Sequence, residues 1–231
     1  LLFTSAHEAK MQKITEETGV AHVSTATDCA EQVKYLVLAV KPQILPTVFK
    51  ELNGKLRKDQ VVISIAAGYA IADLQAEQFG KDVKIVRCMP NTPAMVGEGM
   101  SGVSYDEALF TDEEKDVIDG FFTSFGKMEK VDEKLMDVVG SASGCSPAYV
   151  YMFIEALADG CVKNGLPRQA AYKMVAQAVL GSAKMVLETG KHPGELKDMV
   201  CSPGGTTIEG LAALEENGFR GAIIKACDAN F

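Results

Sequence analysis

The segment Ser202-Pro203-Gly204-Gly205-Thr206-Thr207-Ile208 sets three hydroxyls and two glycines directly before an apolar run that continues to Glu216. A helix starting there presents free backbone amides and the positive end of its dipole, a setting that suits a small carboxylate. A threonine hydroxyl beside it can hydrogen-bond to a nearby nitrogen. A purely structural account also fits: Thr206 with Glu209 as a capping box, and Gly204-Gly205 as the turn into it. A second small-residue stretch, Gly140-Ser141-Ala142-Ser143-Gly144-Cys145-Ser146-Pro147, precedes another apolar run. It reads equally as a ligand-accessible junction or as a flexible turn capped by Ser146.

Three further segments follow short β-branched runs: Ala39-Val40-Lys41-Pro42, Ala66-Ala67-Gly68 and Met89-Pro90-Asn91-Thr92-Pro93. Open α/β sheets bind ligands beyond the carboxyl ends of their strands, so these are the positions where chemistry is expected. Small residues there let a flat ring or a ribose approach the backbone, and Pro42 opens a helix where a missing amide costs nothing. Each could be an ordinary tight turn. Together they point to a nucleotide crevice.

Other chemistries find little support. His7, His22 and His192 are dispersed, and no HExxH or HxH pattern is present. The six cysteines show no CxxC pair, so free thiols are expected and no metal site. Acidic residues outnumber basic ones 31 to 23 without a basic cluster, which argues against nucleic acid as a partner. With 47% hydrophobic residues the chain can bury a large core. Its apolar runs are too short to span a bilayer, and a soluble cytoplasmic protein is expected.

The elements that must position these segments change character along the chain. Up to about residue 131, apolar runs at 35–40, 61–66 and 84–88 have the length and continuity of buried parallel strands. Helices are expected at 42–56, 71–79 and 111–125, with later edge strands at 100–105 and 127–131. After Gly140 the period becomes helical: 147–163 is apolar nearly all round, and 167–187 follows an Asn164-Gly165 stop and a Pro167 start. Such helices need burial, often against another subunit. The expected architecture is an α/β Rossmann-type doubly wound parallel sheet (1–132) followed by an all-α dimerisation domain (133–231).

No GxGxxG occurs in the sequence, although that turn normally cradles a dinucleotide pyrophosphate. Leu1-Leu2-Phe3-Thr4-Ser5 reads as the second strand of such a sheet. The first strand, glycine loop and first helix, about 30 residues, are therefore expected upstream of Leu1, and 1–231 alone is expected to hold a dinucleotide poorly. Hydroxyls at Thr4 and Ser5, in place of an acidic residue, leave room for a 2′-phosphate and favour NADP over NAD.

On these segments, joined by Gly165-Leu166-Pro167-Arg168 and His192-Pro193-Gly194-Glu195-Leu196, the chain resembles the pyrroline-5-carboxylate reductase family. Ser202-Pro203-Gly204-Gly205-Thr206-Thr207-Ile208 is the most specific of its motifs. The resemblance implies NADPH as cofactor, with NADH as the alternative, reduction of 1-pyrroline-5-carboxylate to L-proline, and a homodimer or larger ring. It implies that Ala39, Val40, Lys41, Pro42, Ala66, Ala67 and Gly68 line the nicotinamide and ribose, with Asn91 nearby and Thr4 or Ser5 at the 2′-phosphate. Ser202, Gly205, Thr206 and Thr207 would hold the substrate, Thr207 nearest its ring nitrogen as the catalytic residue. Departures are the absent glycine loop, Gly144-Cys145-Ser146-Pro147 where many members have a second glycine, and a chain that stops at Phe231 before an expected last helix. A β-hydroxyacid or 6-phosphogluconate type dehydrogenase is the rival reading, but neither Lys163 nor Lys173 sits in that family's glycine-rich pattern. A noncatalytic fragment that kept the fold is the other.

Overall fold

The computed structural model describes residues 1–80 and 82–231. The chain opens with a short strand, β1 (Leu2–Phe3), then α1 (Glu8–Thr18) and β2 (Ala21–His22), which pairs in parallel with β1. Gly19, at φ +71°, ends α1 in the left-handed region, where a side chain is strained. Next come α2 (Ala26–Glu31), β3 (Tyr35–Leu38), a 3₁₀ turn (Pro42–Ile44) and α3 (Leu45–Leu52). Glu51 reaches back to accept a hydrogen bond from the Ala26 amide at 2.7 Å, tying α3 to the start of α2.

After β4 (Val61–Ser64) follow α4 (Ile71–Leu74), a π-helical turn (Gln75–Phe79) and β5 (Lys84–Met89). Then come β6 (Gly99–Ser104), α5 (Asp112–Thr123) and β7 (Gly126–Lys130). These strands form one sheet in the order β3-β4-β5-β6-β7. The first three are parallel, as continuous apolar runs covered on both faces should be. β6 runs antiparallel to β5, and β7 runs parallel to β6. β6 was expected at an edge; it lies inside the sheet with neighbours on both sides, and the edges are β3 and β7. Its small residues allow this, because Gly99, Ser101, Gly102 and Val103 are all buried.

One face of the sheet packs Leu36, Leu38, Val62 and Ile85 against α2, α3 and α4. The other packs Val61, Ile63, Val86 and Val103 against Ile118 and Phe122 of α5. Leu2 and Val23 reach the first core, but β1 shares no ladder with β3. Between these two strands lies an apolar cleft of about 630 Å³.

The described residues form two compact units, Leu1–Gly144 and Cys145–Phe231. In the first, α6 (Met136–Val139) and a π-helical turn (Gly140–Cys145) follow β7. α6 lies against β6, so the segment after residue 132 packs with the sheet. The Gly140 stretch is helical throughout, and α7 (Ser146–Lys163) begins at Ser146 itself. The expected flexible turn capped by Ser146 is therefore corrected: with helical backbone running through Cys145, the serine occupies the first helical position and cannot be the extended cap.

The second unit continues with α8 (Arg168–Thr189), α9 (Pro193–Val200), α10 (Thr206–Glu216) and α11 (Phe219–Asp228). Its buried core is small, centred on Ala158, Ala171 and Val175, while Met152 (73%) and Met174 (62%) stay exposed. No helix among the described residues is long and apolar enough to cross a membrane.

All six cysteines are free; only Cys29 and Cys88 are buried. Among the described residues two charged side chains are buried, Arg87 and Glu114; Glu114, 3% exposed, accepts from Lys84 at 2.6 Å, from the Thr111 amide at 3.0 Å and pairs with Lys34 at 3.2 Å. Burial pushes its carboxyl up, but the bonds from Lys84, Thr111 and Lys34 outweigh it and hold the group at about 2.

Two outcomes are expected. Because the folded value lies below the unfolded one, Glu114 stabilises the fold above about pH 4.5 and loses that contribution as pH falls toward 2. Glu114→Gln should cost about 3 kcal/mol in urea unfolding at pH 7, and the gap should close progressively below pH 4.5. The exposed apolar residues of the second unit require a partner, so sedimentation should give a dimer or larger species, and a stable soluble monomer would contradict this.

Candidate active site

The pairing registers align the carboxyl ends of three strands. Leu38 of β3 lies beside Ser64 of β4, and Ser64 beside Arg87 of β5. Ala39 to Pro42 and Ala66 to Gly68 thus leave the same edge of the sheet on adjacent strands. Ala39, Lys41, Pro42, Ala67 and Gly68 are exposed, Val40 is half-buried and Ala66 is buried. Gly68 has φ +83°, and a Cβ there would meet nothing within 4 Å. Its backbone conformation, and no crowding from the protein, is what demands glycine, and it leaves the space above open.

Thr4 at the end of β1, with Ala39 and Val40, lines the apolar cleft beside β3. Ser5 is tied down through its amide, which donates to the Met11 sulfur at 3.0 Å. The structure therefore brings Thr4, Ala39 and Val40 around one cleft, sets Lys41 and Pro42 just beyond it, and places Ala66 to Gly68 on the next strand end. The exposed Ala39, Ala67 and Gly68 leave room at this edge of the sheet for a flat group.

Asn91, after β5, is engaged on both sides of its carboxamide. Its Oδ1 accepts from the Met100 amide at 2.9 Å, and its Nδ2 donates to the Ser143 carbonyl at 3.0 Å. One Nδ2 hydrogen is left over from these two bonds. The nearby Cys88 thiol donates to the Ser64 carbonyl, and burial pushes it up to about 12, so it stays protonated and inert.

In the second unit, α10 starts one residue earlier than a capping box at Thr206 requires. Gly205 is the cap, in extended conformation at φ −80° and ψ 167°, and its amide donates to the Ser202 carbonyl at 3.0 Å. The expected Thr206–Glu209 capping box is corrected: Thr206 is the first helical residue, and no side chain caps the helix there. A Cβ at position 205 would overlap the Ser202 hydroxyl, so the glycine lets that hydroxyl lie against the helix start. Ser202, Thr206 and Thr207 are exposed, and Gly205 is half-buried. The start of α10 thus offers uncapped amides with hydroxyls around them, which fits a carboxylate and a neighbouring hydrogen-bonding atom.

Sequence reasoning missed Arg87, Glu133 and Asp137. Arg87 is 8% exposed, with Nη1 3.4 Å from Glu133 and Nη2 3.5 Å from Asp137. A lone arginine inside an apolar strand was the available signal, since a buried charge requires a partner. His192 was also missed as a helix cap; its Nδ1 accepts from the Gly194 amide at 3.0 Å, opening α9.

Residues 133–231 match the family model described as pyrroline-5-carboxylate reductase dimerisation, and residues 1–68 match that described as NADP oxidoreductase, coenzyme F420-dependent. The chain is 50% identical over 217 residues to the pyrroline-5-carboxylate reductase of Escherichia coli K12, covering 94% of this chain and 80% of that protein. It is 46% identical to the pyrroline-5-carboxylate reductase of Glycine max over 91% of this chain and 76% of that one. The solved structure of Plasmodium falciparum pyrroline carboxylate reductase with NADP bound superposes with a TM-score of 0.87 at 35% identity, covering 100% of this chain and 84% of that one.

The overlap at Gly205 has a measurable consequence. Gly205→Ala should displace the Ser202 hydroxyl and raise the KM for a small carboxylate substrate about tenfold or more, while NADPH affinity and melting temperature change little. Steady-state kinetics with both substrates varied would check this; an unaltered KM would separate Ser202 from substrate binding.

Proposed function

The chain belongs to the pyrroline-5-carboxylate reductase family, and from that premise we propose which of its residues carry the NADPH-dependent reduction of 1-pyrroline-5-carboxylate to L-proline. NADPH, when bound, supplies the hydride that reduces the C=N bond at C5. Ala39 to Pro42 and Ala66 to Gly68 line its nicotinamide and ribose, Asn91 borders them, and Thr4 or Ser5 meets the 2′-phosphate. Residues 1–132 form the cofactor part and 133–231 the substrate and dimerisation part. The chain self-associates, as the dimerisation match over 133–231 supports, and we assign it a homodimer.

The observation that carries the substrate assignment is the uncapped start of α10, ringed by exposed hydroxyls. Its amides and Ser202 hold the carboxylate, with Gly205 and Thr206 completing that cradle. The carboxylate neutralises part of the positive charge on the ring, which must be protonated at nitrogen, because an iminium accepts hydride far better than a neutral imine. Thr207 orients that nitrogen by hydrogen bonding, as an acceptor from the iminium N–H, and stays beside the amine that forms. No strong base is required, so hydroxyls and amides suffice, and much of the rate comes from orientation.

In the purified enzyme, NADPH oxidation should depend on added pyrroline-5-carboxylate; activity on a hydroxyacid instead would favour the dehydrogenase reading. Thr207→Ala should lower kcat roughly tenfold to a thousandfold with NADPH binding little changed. Thr207→Ser should recover much of that loss and Thr207→Val should not, since only serine keeps the hydroxyl. Near-normal turnover in Thr207→Val would remove Thr207 from catalysis.

A further inference from the structure

Ala66-Ala67-Gly68-Tyr69-Ala70 connects β4 to α4, and its far end is fixed from a distant part of the chain. The Ile71 amide donates to Glu133 Oε1 at 2.6 Å, across 62 residues of sequence. The same oxygen lies 3.4 Å from Arg87 Nη1, and Arg87 also pairs with Asp137. Ala70 has no side-chain acceptor to offer, and Asp73 is occupied by the Ala70 amide at 3.2 Å. The loop is therefore held at one end by the β4 ladder and at the other by a carboxylate whose own place is set by a buried guanidinium.

We propose that Glu133 is a positioning residue for the cofactor: by accepting from Ile71 it fixes the 66–68 turn in the conformation that meets the nicotinamide and ribose, with Arg87 as its anchor. This rests on the assignment of 66–68 to the cofactor. Glu133 is the first residue of the dimerisation match, but it lies within the first compact unit, as do Ile71 and Arg87. A charge-assisted bond this short loses most of its strength when its acceptor retreats by one methylene.

The test is NADPH affinity by fluorescence titration of the enzyme, with hydrogen exchange at the Ile71 amide, for Glu133→Asp, Glu133→Gln and Arg87→Lys. Glu133→Asp keeps the charge but withdraws the acceptor; it should raise the NADPH Kd about tenfold, speed exchange at Ile71, and leave KM for the imine within about twofold. Glu133→Gln keeps an oxygen at that place but gives up the charge that pairs with Arg87, and should fall between wild type and Glu133→Asp, with the NADPH Kd raised about threefold. Arg87→Lys frees Glu133 to swing and should give an intermediate Kd, about threefold raised, which also decides the matter if the aspartate variant does not fold. Faster exchange with unchanged Kd would reduce Glu133 to a structural role and overturn the proposal, as would equal losses in the Gln and Asp variants. Ala67→Val, which crowds the turn itself, separates the two layers. Weakened NADPH binding there with none in Glu133→Asp sinks only the positioning role; no weakening in either removes 66–68 from the cofactor site and the proposal with it.

Discussion

The first unit depends on a missing side chain at Gly102. A Cβ there would overlap a methyl of Val139, so α6 lies on the sheet only because β6 is bare at that point. Residues 133–143 then run across the face that carries Arg87 and Met89. Four contacts along this strap follow in order: Arg87 with Glu133 and with Asp137, Gly102 with Val139, and Asn91 with Ser143. Packing opens the path, and polar groups fix the register within it. Because interiors are close-packed, even one added methyl would push the whole strap outward.

The two units solve the burial problem differently. The sheet of the first is covered on both faces by its own helices, and its one sealed carboxylate, Glu114, draws cations from just before β3 and from the start of β5. That pairing binds α5 to the amino ends of the strands, while Arg87 with Glu133 and Asp137 ties the strap to the sheet near the carboxyl end of β5. The helices of the second unit leave large apolar side chains on their surfaces, which water penalises and a second copy removes. Membership of a family with a dimerisation segment and an incomplete core in that segment are two views of one physical fact.

The candidate site is made almost entirely of groups that do not titrate near neutrality. Backbone turns, alanines, a carboxamide and hydroxyls make up its parts in the two units, with Lys41 an exposed cation at the strand ends; of the buried ionisable groups there, Cys88 is locked as a thiol and Arg87 is spent on Glu133 and Asp137. A reaction whose charge changes occur in the substrate ring and cofactor needs orientation and a polar cradle more than a proton donor of its own.

Much of this was legible in the residues. Continuous β-branched runs mark strands buried on both faces, helical periods after Gly140 mark the second unit, and small residues after successive strands mark the open end of the sheet. All of these are local burial patterns, which a sequence carries directly. The position of β6 was not legible, because its direction and neighbours depend on how a chain reverses after β5, and a run of glycines and serines fits an edge as well as a crowded interior. Nor was the start of α10, where a one-residue difference in backbone geometry turns Thr206 from a cap into the first helical residue. The partners of Arg87 and Asn91 lie some 50 residues away. The sequence by itself set an arginine inside an apolar strand and an asparagine just past its end, polar groups that are costly to leave unpaired in an apolar interior; only the tertiary structure, by laying 133–143 over Gly102, decided which groups pair with them.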